Sequence, residues 1–343
     1  MKMAFPSIFL SKPGVCFPEK QYSNKDIIEE VHRRFKGDAQ TWHAIRGAIL
    51  KVFEKCNTRT RYLDFDPESR VAGYAADASR ICLARNRRSL EEVDLVIFAG
   101  IAREYFEPAT AMEVAATLGI KATHAFDVTT ACVGHLEALQ VAAGYMNMYD
   151  RYRTALICTA ELTREFLDFD IQSASDLYLK AAGLTIGNAA SAMLVSREPF
   201  EGGGIRLIGT DTHSLPSHWS LCQVPIHGRF ASSSTELMRL HKHIGPRLKI
   251  VFETLGWRPD DVDHYIFHQP SEFMTKKILQ EIGADIERGV YTHHLYGNNA
   301  SATVGVVYDE LLKQRALKPG DKLMLGSAAS GFTMVTASGE WVE

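Results

Sequence analysis

A layered α/β sandwich assembled from two related half-chains is the fold this sequence predicts, and three paired features predict it. Leu90-Glu91-Glu92-Val93-Asp94 leads into the apolar run Leu95-Val96-Ile97-Phe98, just as Pro259-Asp260-Asp261-Val262-Asp263 leads into His264-Tyr265-Ile266-Phe267. Both read as an acidic turn at a helix end followed by a short buried strand of the parallel type. Val93 and Val262 stand 169 positions apart, and the same offset carries Cys132 onto Ser301 and Leu156 onto Leu325.

The elements fall into place around those anchors. Asn24 to Arg34 has the pattern of a capped helix. Ala125-Phe126-Asp127-Val128 reads as a strand, and a helix opens at Cys132 and runs to about Met148. Thr154-Ala155-Leu156-Ile157-Cys158 is the next strand. In the second half His294-Leu295-Tyr296 precedes Asn298-Asn299-Ala300-Ser301-Ala302, a helix runs through Val306 to about Gln314, and Lys322-Leu323-Met324-Leu325 follows as a strand. Between the halves, Ser196 to Ser234 is rich in Gly, Pro, Ser and His. It holds one strand-like run, Ile205 to Ile208, and a surface excursion from His213 of the kind that covers binding sites. A helix is expected from Ser234 to about Leu255, stopped at Gly256-Trp257. The expected division is residues 1–195 and 196–343. Such a duplication gives pseudo-twofold symmetry, with the two equivalent helix N-termini meeting near the axis.

Composition removes several classes of function. Lys and Arg number 38 against 41 Asp and Glu, a formal charge of −3 that does not suit a nucleic-acid binder. Arg59-Thr60-Arg61 and Arg151-Tyr152-Arg153 read as solvated surface, or as contacts to a phosphate-bearing ligand. The six cysteines form no C-x-x-C pair, so neither a zinc site nor a disulfide framework is expected. His241, His243, His293 and His294 lack the spaced carboxylates or cysteines that a metal would need. Met1 to Pro13 has no secretory-signal pattern, and no run is long and apolar enough to span a membrane. A cytoplasmic setting is expected.

Three residues carry the candidate chemistry. Cys132 follows a strand and opens a helix, where the positive end of the macrodipole favours thiolate. The plain alternative is a buried cysteine acting as a small hydrophobe, the reading given to the other five. His268 comes directly after Tyr265-Ile266-Phe267, and site residues in α/β sheets gather beyond strand carboxyl ends. Asn298 stands before a helix, so it reads either as a cap or as an amide donor aimed at a carbonyl oxygen.

Together these segments resemble the β-ketoacyl-acyl-carrier-protein synthase III family. Ala125-Phe126-Asp127-Val128-Thr129-Thr130-Ala131-Cys132-Val133-Gly134 is similar to its nucleophile segment, preceded by Leu118-Gly119-Ile120-Lys121. Gly256 to Asp263 with Phe267-His268-Gln269-Pro270 resembles its histidine segment, and Tyr296-Gly297-Asn298-Asn299-Ala300-Ser301 its asparagine segment. The likeness runs from Gly14 and Pro18 to Ser330-Gly331-Phe332-Thr333.

The resemblance implies a thiolase-like five-layered αβαβα sandwich, a homodimer, and a Cys132, His268, Asn298 triad. It implies no cofactor. Cys132 would take an acyl group from an acyl-CoA or acyl-carrier donor, and malonyl-ACP would then lose carbon dioxide to an enolate held by His268 and Asn298. The backbone N–H groups of Cys132 and of the region near Gly331 would form the oxyanion hole. Departures stand beside it. Gly187-Asn188-Ala189-Ala190-Ser191 replaces the family's Gly-Asp-Gly-Ala-Gly, and Ser327-Ala328-Ala329-Ser330-Gly331 its C-terminal glycine-rich run. The tryptophan implied in coenzyme A stacking has no counterpart in Lys51 to Arg61. Glu107, beside Phe106, stands where a bulky residue should line the dimer end of the acyl pocket. An unusual acyl group or a carrier-protein donor, in fatty-acid or specialised biosynthesis, fits those departures. Two alternatives stand: acyl transfer to an oxygen or nitrogen acceptor, and a non-catalytic subunit of a heterodimeric synthase, which would be expected to lose its nucleophile.

Overall fold

The structure is a computed structural model, and it describes residues 7–343; the first six residues of the Met1–Pro13 stretch lie outside it. The strands of its main sheet are β1 (Phe9–Leu10), β2 (Gly14–Cys16), β3 (Leu95–Phe98), β4 (His124–Asp127), β5 (Thr154–Glu161), β6 (Ala189–Ser196), β7 (Gly204–Ser214), β8 (His264–Phe267), β9 (Lys322–Ala329) and β10 (Thr333–Val342). They form one sheet in the order β8-β9-β10-β7-β1-β6-β5-β3-β4, with β2 on β6. The halves join where β1 meets β7 antiparallel, Phe9 opposite Arg206 and Leu10 opposite Ile205.

Helices then make five layers. On the outer face of the first half lie α3 (Val71–Arg85) and α4 (Thr110–Leu118), where Ala75 and Val114 pack with Val96 and Leu156. On the outer face of the second lie α6 (Ile244–Leu255) and α7 (Glu272–Glu281), with Leu248, Phe252 and Leu279 against Tyr265 and Met324. Between the two half-sheets run α5 (Gly134–Met148) and α8 (Thr303–Gln314). Leu136, Leu139, Val307 and Leu311 meet Ile97, Ile157, Ile266 and Leu325 there in one core. Packed between the half-sheets, α5 has little of the amphipathic patterning of a surface helix. Two further helices, α1 (Asn24–Arg34) and α2 (Ala39–Cys56), lie to one side, the first capped by Ser23 in a capping box with Asp26.

The duplication is visible in the element bounds. The turn Leu90–Glu92 repeats as Pro259–Asp261, β3 as β8, the 3-10 turn Ala131–Val133 as Ala300–Ala302, and the start of α5 as the start of α8, all at 169. One pairing needs correction. Leu156 packs outward against α3 and α4, whereas Leu325 points into the central layer; Met324 is the residue facing outward. Side chains alternate along a strand, so β5 maps onto β9 one residue short of the offset, Leu156 onto Met324 and Ile157 onto Leu325.

Two other expectations change in detail. The second-half counterpart of β4 is a helical turn, His293–Tyr296, because the buried Gln269 side chain takes the N–H groups of Thr292 and His293 and draws the segment off the sheet edge. The helix expected from Ser234 to Leu255 is broken into Ser234–Arg239, a 3-10 stretch Leu240–His243 and α6. Pro246 has no N–H to continue the ladder. The excursion after β7 is a strap. Leu215 N–H donates to Phe332 at 2.9 Å and Phe230 N–H to Phe166 at 2.8 Å, so it reaches from one half to the other.

Gly134 sets the depth of α5. A Cβ there would lie 2.3 Å from the backbone oxygen of Ala99. We expect Gly134→Ala to force α5 off β3 and to lower unfolding free energy by about 3 kcal/mol, measured by urea denaturation.

Candidate active site

Cys132 lies in the middle of the 3-10 turn Ala131–Val133, not in α5 itself, which starts two residues later. Ala131 takes a left-handed φ of 50°, and its repeat partner Ala300 one of 45°. A non-glycine residue held there is strained, and the strain tips the following side chain out of the strand-to-helix path. The turns of the two halves pack on each other at the pseudo-axis. Each is also received by the other half's strand end. Ser327 of β9 donates its hydroxyl to the Cys132 carbonyl at 2.8 Å, and its counterpart Thr159 of β5 hydrogen-bonds Ser301, the counterpart of Cys132.

The same strand end brings in His268. Its N–H donates to Gly326 O at 2.8 Å, next to Ser327. Its Nε2 lies 3.1 Å from Asn298 Oδ1. Asn298 Oδ1 also accepts the Ala300 N–H at 3.0 Å, an Asx turn onto the second 3-10 turn. With Oδ1 committed to these partners, Nδ2 is the amide atom left to meet a substrate oxygen. The Asn298 backbone is pinned from both sides, its N–H to Thr185 O at 2.8 Å and its carbonyl to Gly187 N–H at 3.0 Å. The altered Gly187–Ser191 segment therefore abuts the site, and a Cβ at Gly187 would lie 2.1 Å from Tyr296 O. Cys132, His268 and Asn298 are thus linked through Ser327, Gly326 and Ala300. The turn Ser330-Gly331-Phe332 caps the hairpin from β9 to β10 at the same end, with Gly331 at φ 74°.

The electrostatics differ from expectation. Burial raises the Cys132 thiol well above the ordinary range, with the neighbouring Cys222 and Glu161 adding to the shift. The macrodipole's pull toward thiolate is therefore opposed by the thiol's partial desolvation. Burial likewise pushes His268 down to about 4, although Asn298 and the Ala328 backbone favour its charged form. The imidazole is neutral at pH 7 and can give an N–H to an oxygen.

Phe106 is 76% exposed and Glu107 is also exposed, on a loop between Ile101 and Pro108. That loop is tied back by Arg103, which donates to Thr129, and by Asp127, which accepts the N–H groups of Thr110 and Ala111 at 2.9 Å each. Arg61 is no surface cation: it is fully buried, donating to Asn24 and to Leu184 O and lying 4.9 Å from the Phe53 ring centre. His293 is held by Gln269 O and Thr58, and no group of three metal-ligating side chains occurs among the described residues. None of their helices is long and apolar enough to cross a membrane. Sequence reasoning missed Ser327, Gln269 and Glu161. The offset already pointed at the strand end facing Ser301, where Glu161 closes an apolar run.

A strand-end histidine and a pre-helix asparagine with a half-buried thiol on a duplicated five-layer sandwich define a condensing-enzyme type of site. The comparisons with known proteins agree. The family model 3-oxoacyl-[acyl-carrier-protein] synthase III matches residues 126–216, and its C-terminal model matches residues 252–341, together more than half the chain. The chain belongs to this family. It is 28% identical to a β-ketoacyl-[acyl-carrier-protein] synthase III of Rhodospirillum centenum, over 96% of this chain and 97% of that protein. It is 25% identical to an acyl-CoA:acyl-CoA alkyltransferase of Xanthomonas campestris, over 81% of this chain and 84% of that one. Crystal structures of OleA from Xanthomonas campestris share the fold; one glutamate-to-alanine variant superposes with a TM-score of 0.89 at 22% identity, covering 99% of this chain and all of that one.

Three buried histidines, His135, His268 and His293, are each held near 4 by burial. Below pH 6.5 the unfolded chain takes protons that the folded chain refuses until about pH 4, so stability present above 6.5 drains away across that window. We expect unfolding free energy to fall by about 1.4 kcal/mol per pH unit for each histidine, and His135→Leu to remove one proton's worth of the slope, read from urea titrations between pH 7 and 4.5.

Proposed function

We propose that this chain is a decarboxylating condensing enzyme whose nucleophile is Cys132. The observation that carries the reading is the neutral His268 beside an Asn298 whose Oδ1 is already engaged. Two donors are thereby offered to one developing oxyanion. A thioester donor acylates Cys132, its carbonyl carbon bonding to sulfur as the donor thiol leaves with the proton. A malonyl thioester then enters, the bond to its carboxylate breaks, carbon dioxide departs, and the electron pair becomes an enolate. Asn298 Nδ2 and the His268 N–H, released from its 3.1 Å contact, hold the enolate oxygen. The enolate carbon attacks the acyl carbonyl on Cys132, whose oxygen meets the N–H groups of Cys132 and of the Gly331 turn. Collapse expels the thiolate and yields a 3-oxoacyl thioester.

We place a homodimer in the same proposal. Tyr105, Phe106 and Met112 are exposed large hydrophobics on one stretch, the place where a second copy would close the acyl pocket. The proposed halves divide between β6 and β7.

One observation favours a second reading. Glu107 puts a carboxylate where the family resemblance implies a bulky pocket residue, and a relative's name states an acyl-CoA:acyl-CoA reaction. A carboxylate brought to the site by a second copy would take an α-proton from a second acyl thioester, generating the enolate without loss of carbon dioxide.

Intact-mass analysis with a panel of acyl-CoA and acyl-carrier donors should show an acyl adduct that Cys132→Ala abolishes. His268→Ala and Asn298→Ala should still load, yet release carbon dioxide from malonyl-carrier about 100- to 1000-fold more slowly. Wild-type decarboxylation in both variants would refute their assigned roles. Condensation of two acyl-CoA molecules without carbon dioxide, lost in Glu107→Gln, would select the second reading.

A further inference from the structure

His268 stands one residue past the last ladder pair of β8 and β9, Phe267 opposite Gly326, and the chain then turns away at Gln269-Pro270. A side chain at such a departure point needs a second hold, and Pro270 has no N–H to give. His293 supplies it. Its buried ring brings Nδ1 to 3.0 Å from the Gln269 carbonyl. In return the Gln269 side chain accepts the Thr292 N–H at 2.9 Å and the His293 N–H at 3.1 Å. Each residue thus holds the other's backbone.

His293 holds the asparagine arm as well. Its carbonyl accepts the Gly297 N–H at 2.9 Å, directly before Asn298. One residue is therefore bonded to the chain neighbours of both His268 and Asn298, whose side chains meet at 3.1 Å. The ring has a single orientation. A carbonyl only accepts, so Nδ1 carries the hydrogen and Nε2 keeps the lone pair. Thr58 then donates its hydroxyl to Nε2 at 2.8 Å. Burial pushes the ring down to about 4, which keeps Nε2 an acceptor at pH 7. Thr58 is itself immobilised, buried just after the left-handed Asn57 that ends α2. Its N–H donates to Phe53 O at 2.9 Å, and its carbonyl accepts Asn24 Nδ2 at 2.7 Å.

We propose that His293 is a positioning residue that sets the spacing of His268 and Asn298, with Thr58 as the brace of its ring, a role that rests on the reading of those two side chains as donors to an enolate. The Nδ1 hydrogen bond fixes where the chain carrying His268 turns off the sheet. The backbone bond to Gly297 fixes where Asn298 begins. Through Thr58 the side unit of α1 and α2 reaches the site by one hydroxyl. None of these groups touches the reacting atoms, and Cys132 lies on a different turn, so acylation of the sulfur does not depend on them.

Two amide substitutions separate the ring's contacts. His293→Asn puts an amide nitrogen where Nδ1 stands and keeps the donor to Gln269, whereas His293→Gln puts it near Nε2 and loses that donor. Carbon dioxide release from malonyl-carrier should stay within about threefold of the wild type in His293→Asn and fall about tenfold or more in His293→Gln. Both should acylate Cys132 within about twofold of the wild-type rate, followed by intact mass, a split that general loosening of the fold does not produce. Thr58→Val removes the brace alone and should slow carbon dioxide release about threefold or more with loading unchanged. It decides alone if the His293 variants do not fold. Unchanged release in His293→Gln or in Thr58→Val, equal loss in His293→Asn and His293→Gln, or loading lost in step with release overturns the positioning role. A wild type that frees no carbon dioxide overturns the proposed function and this role with it, whereas failure of the role alone is read from variants of a wild type that does.

Discussion

Everything in this molecule is organised by two short 3-10 turns that lock against each other at the pseudo-axis, each started by a left-handed alanine. Ala131 and Ala300 hold φ values of 50° and 45°, unfavourable for any residue with a Cβ. The strain persists because the surroundings fix both turns. Ser327 holds the Cys132 carbonyl, Thr159 and Glu161 hold Ser301, and Asn298 holds the Ala300 N–H. A strained turn between two half-sheets cannot relax without moving α5 or α8, which are packed from both sides. The same constraint that makes the fold rigid thus delivers the sulfur to the site.

Desolvation then decides the chemistry. A helix start suggests an anionic cysteine, but the half-buried Cys132 thiol gives up part of its hydration, which opposes ionisation. The imidazole of His268 obeys the same rule in the opposite sense, since burial removes its charge and leaves a neutral N–H. Burial thus favours the neutral form of both groups. In the proposed reaction, charge would develop as a thioester supplies an electrophile or an enolate. Preorganised donors would then be a main resource of the proposed reaction.

The sequence made the duplication legible because its markers are local. An acidic turn before an apolar strand, and a small residue before a helix, repeat at a constant spacing. Cys132, His268 and Asn298 could be singled out for the same reason: each ends or opens an element. What stayed hidden depends on three-dimensional register. Leu156 and Leu325 look equivalent in sequence, yet β9 is displaced by one residue, and in a strand that exchanges the two faces. Arg61 looked like surface charge within a basic triplet, and only the closure of α2 over it shows a buried guanidinium stacked on Phe53. The turn at His293–Tyr296 was hidden because Gln269, some two dozen positions earlier, controls it.

Asymmetry on a symmetric frame is what turns this scaffold into a site. The repeat places Ala99 where the second half has His268, Thr129 where it has Asn298, and Ser301 where the first has Cys132. One end of the axis therefore collects the imidazole and amide, and the other is sealed by a hydroxyl and a buried carboxylate. Sealing is not idle. Two open sockets at the centre of the central layer would leave the backbone N–H groups of Ile101 and Ala102 without acceptors, a loss of roughly 1–3 kcal/mol for each buried donor. Glu161 removes that cost in the silent half; in the other half the counterpart of Ile101 is Pro270, which has no N–H to satisfy. The duplicated fold thus gives one copy of its geometry to stability and leaves the other free for the proposed chemistry.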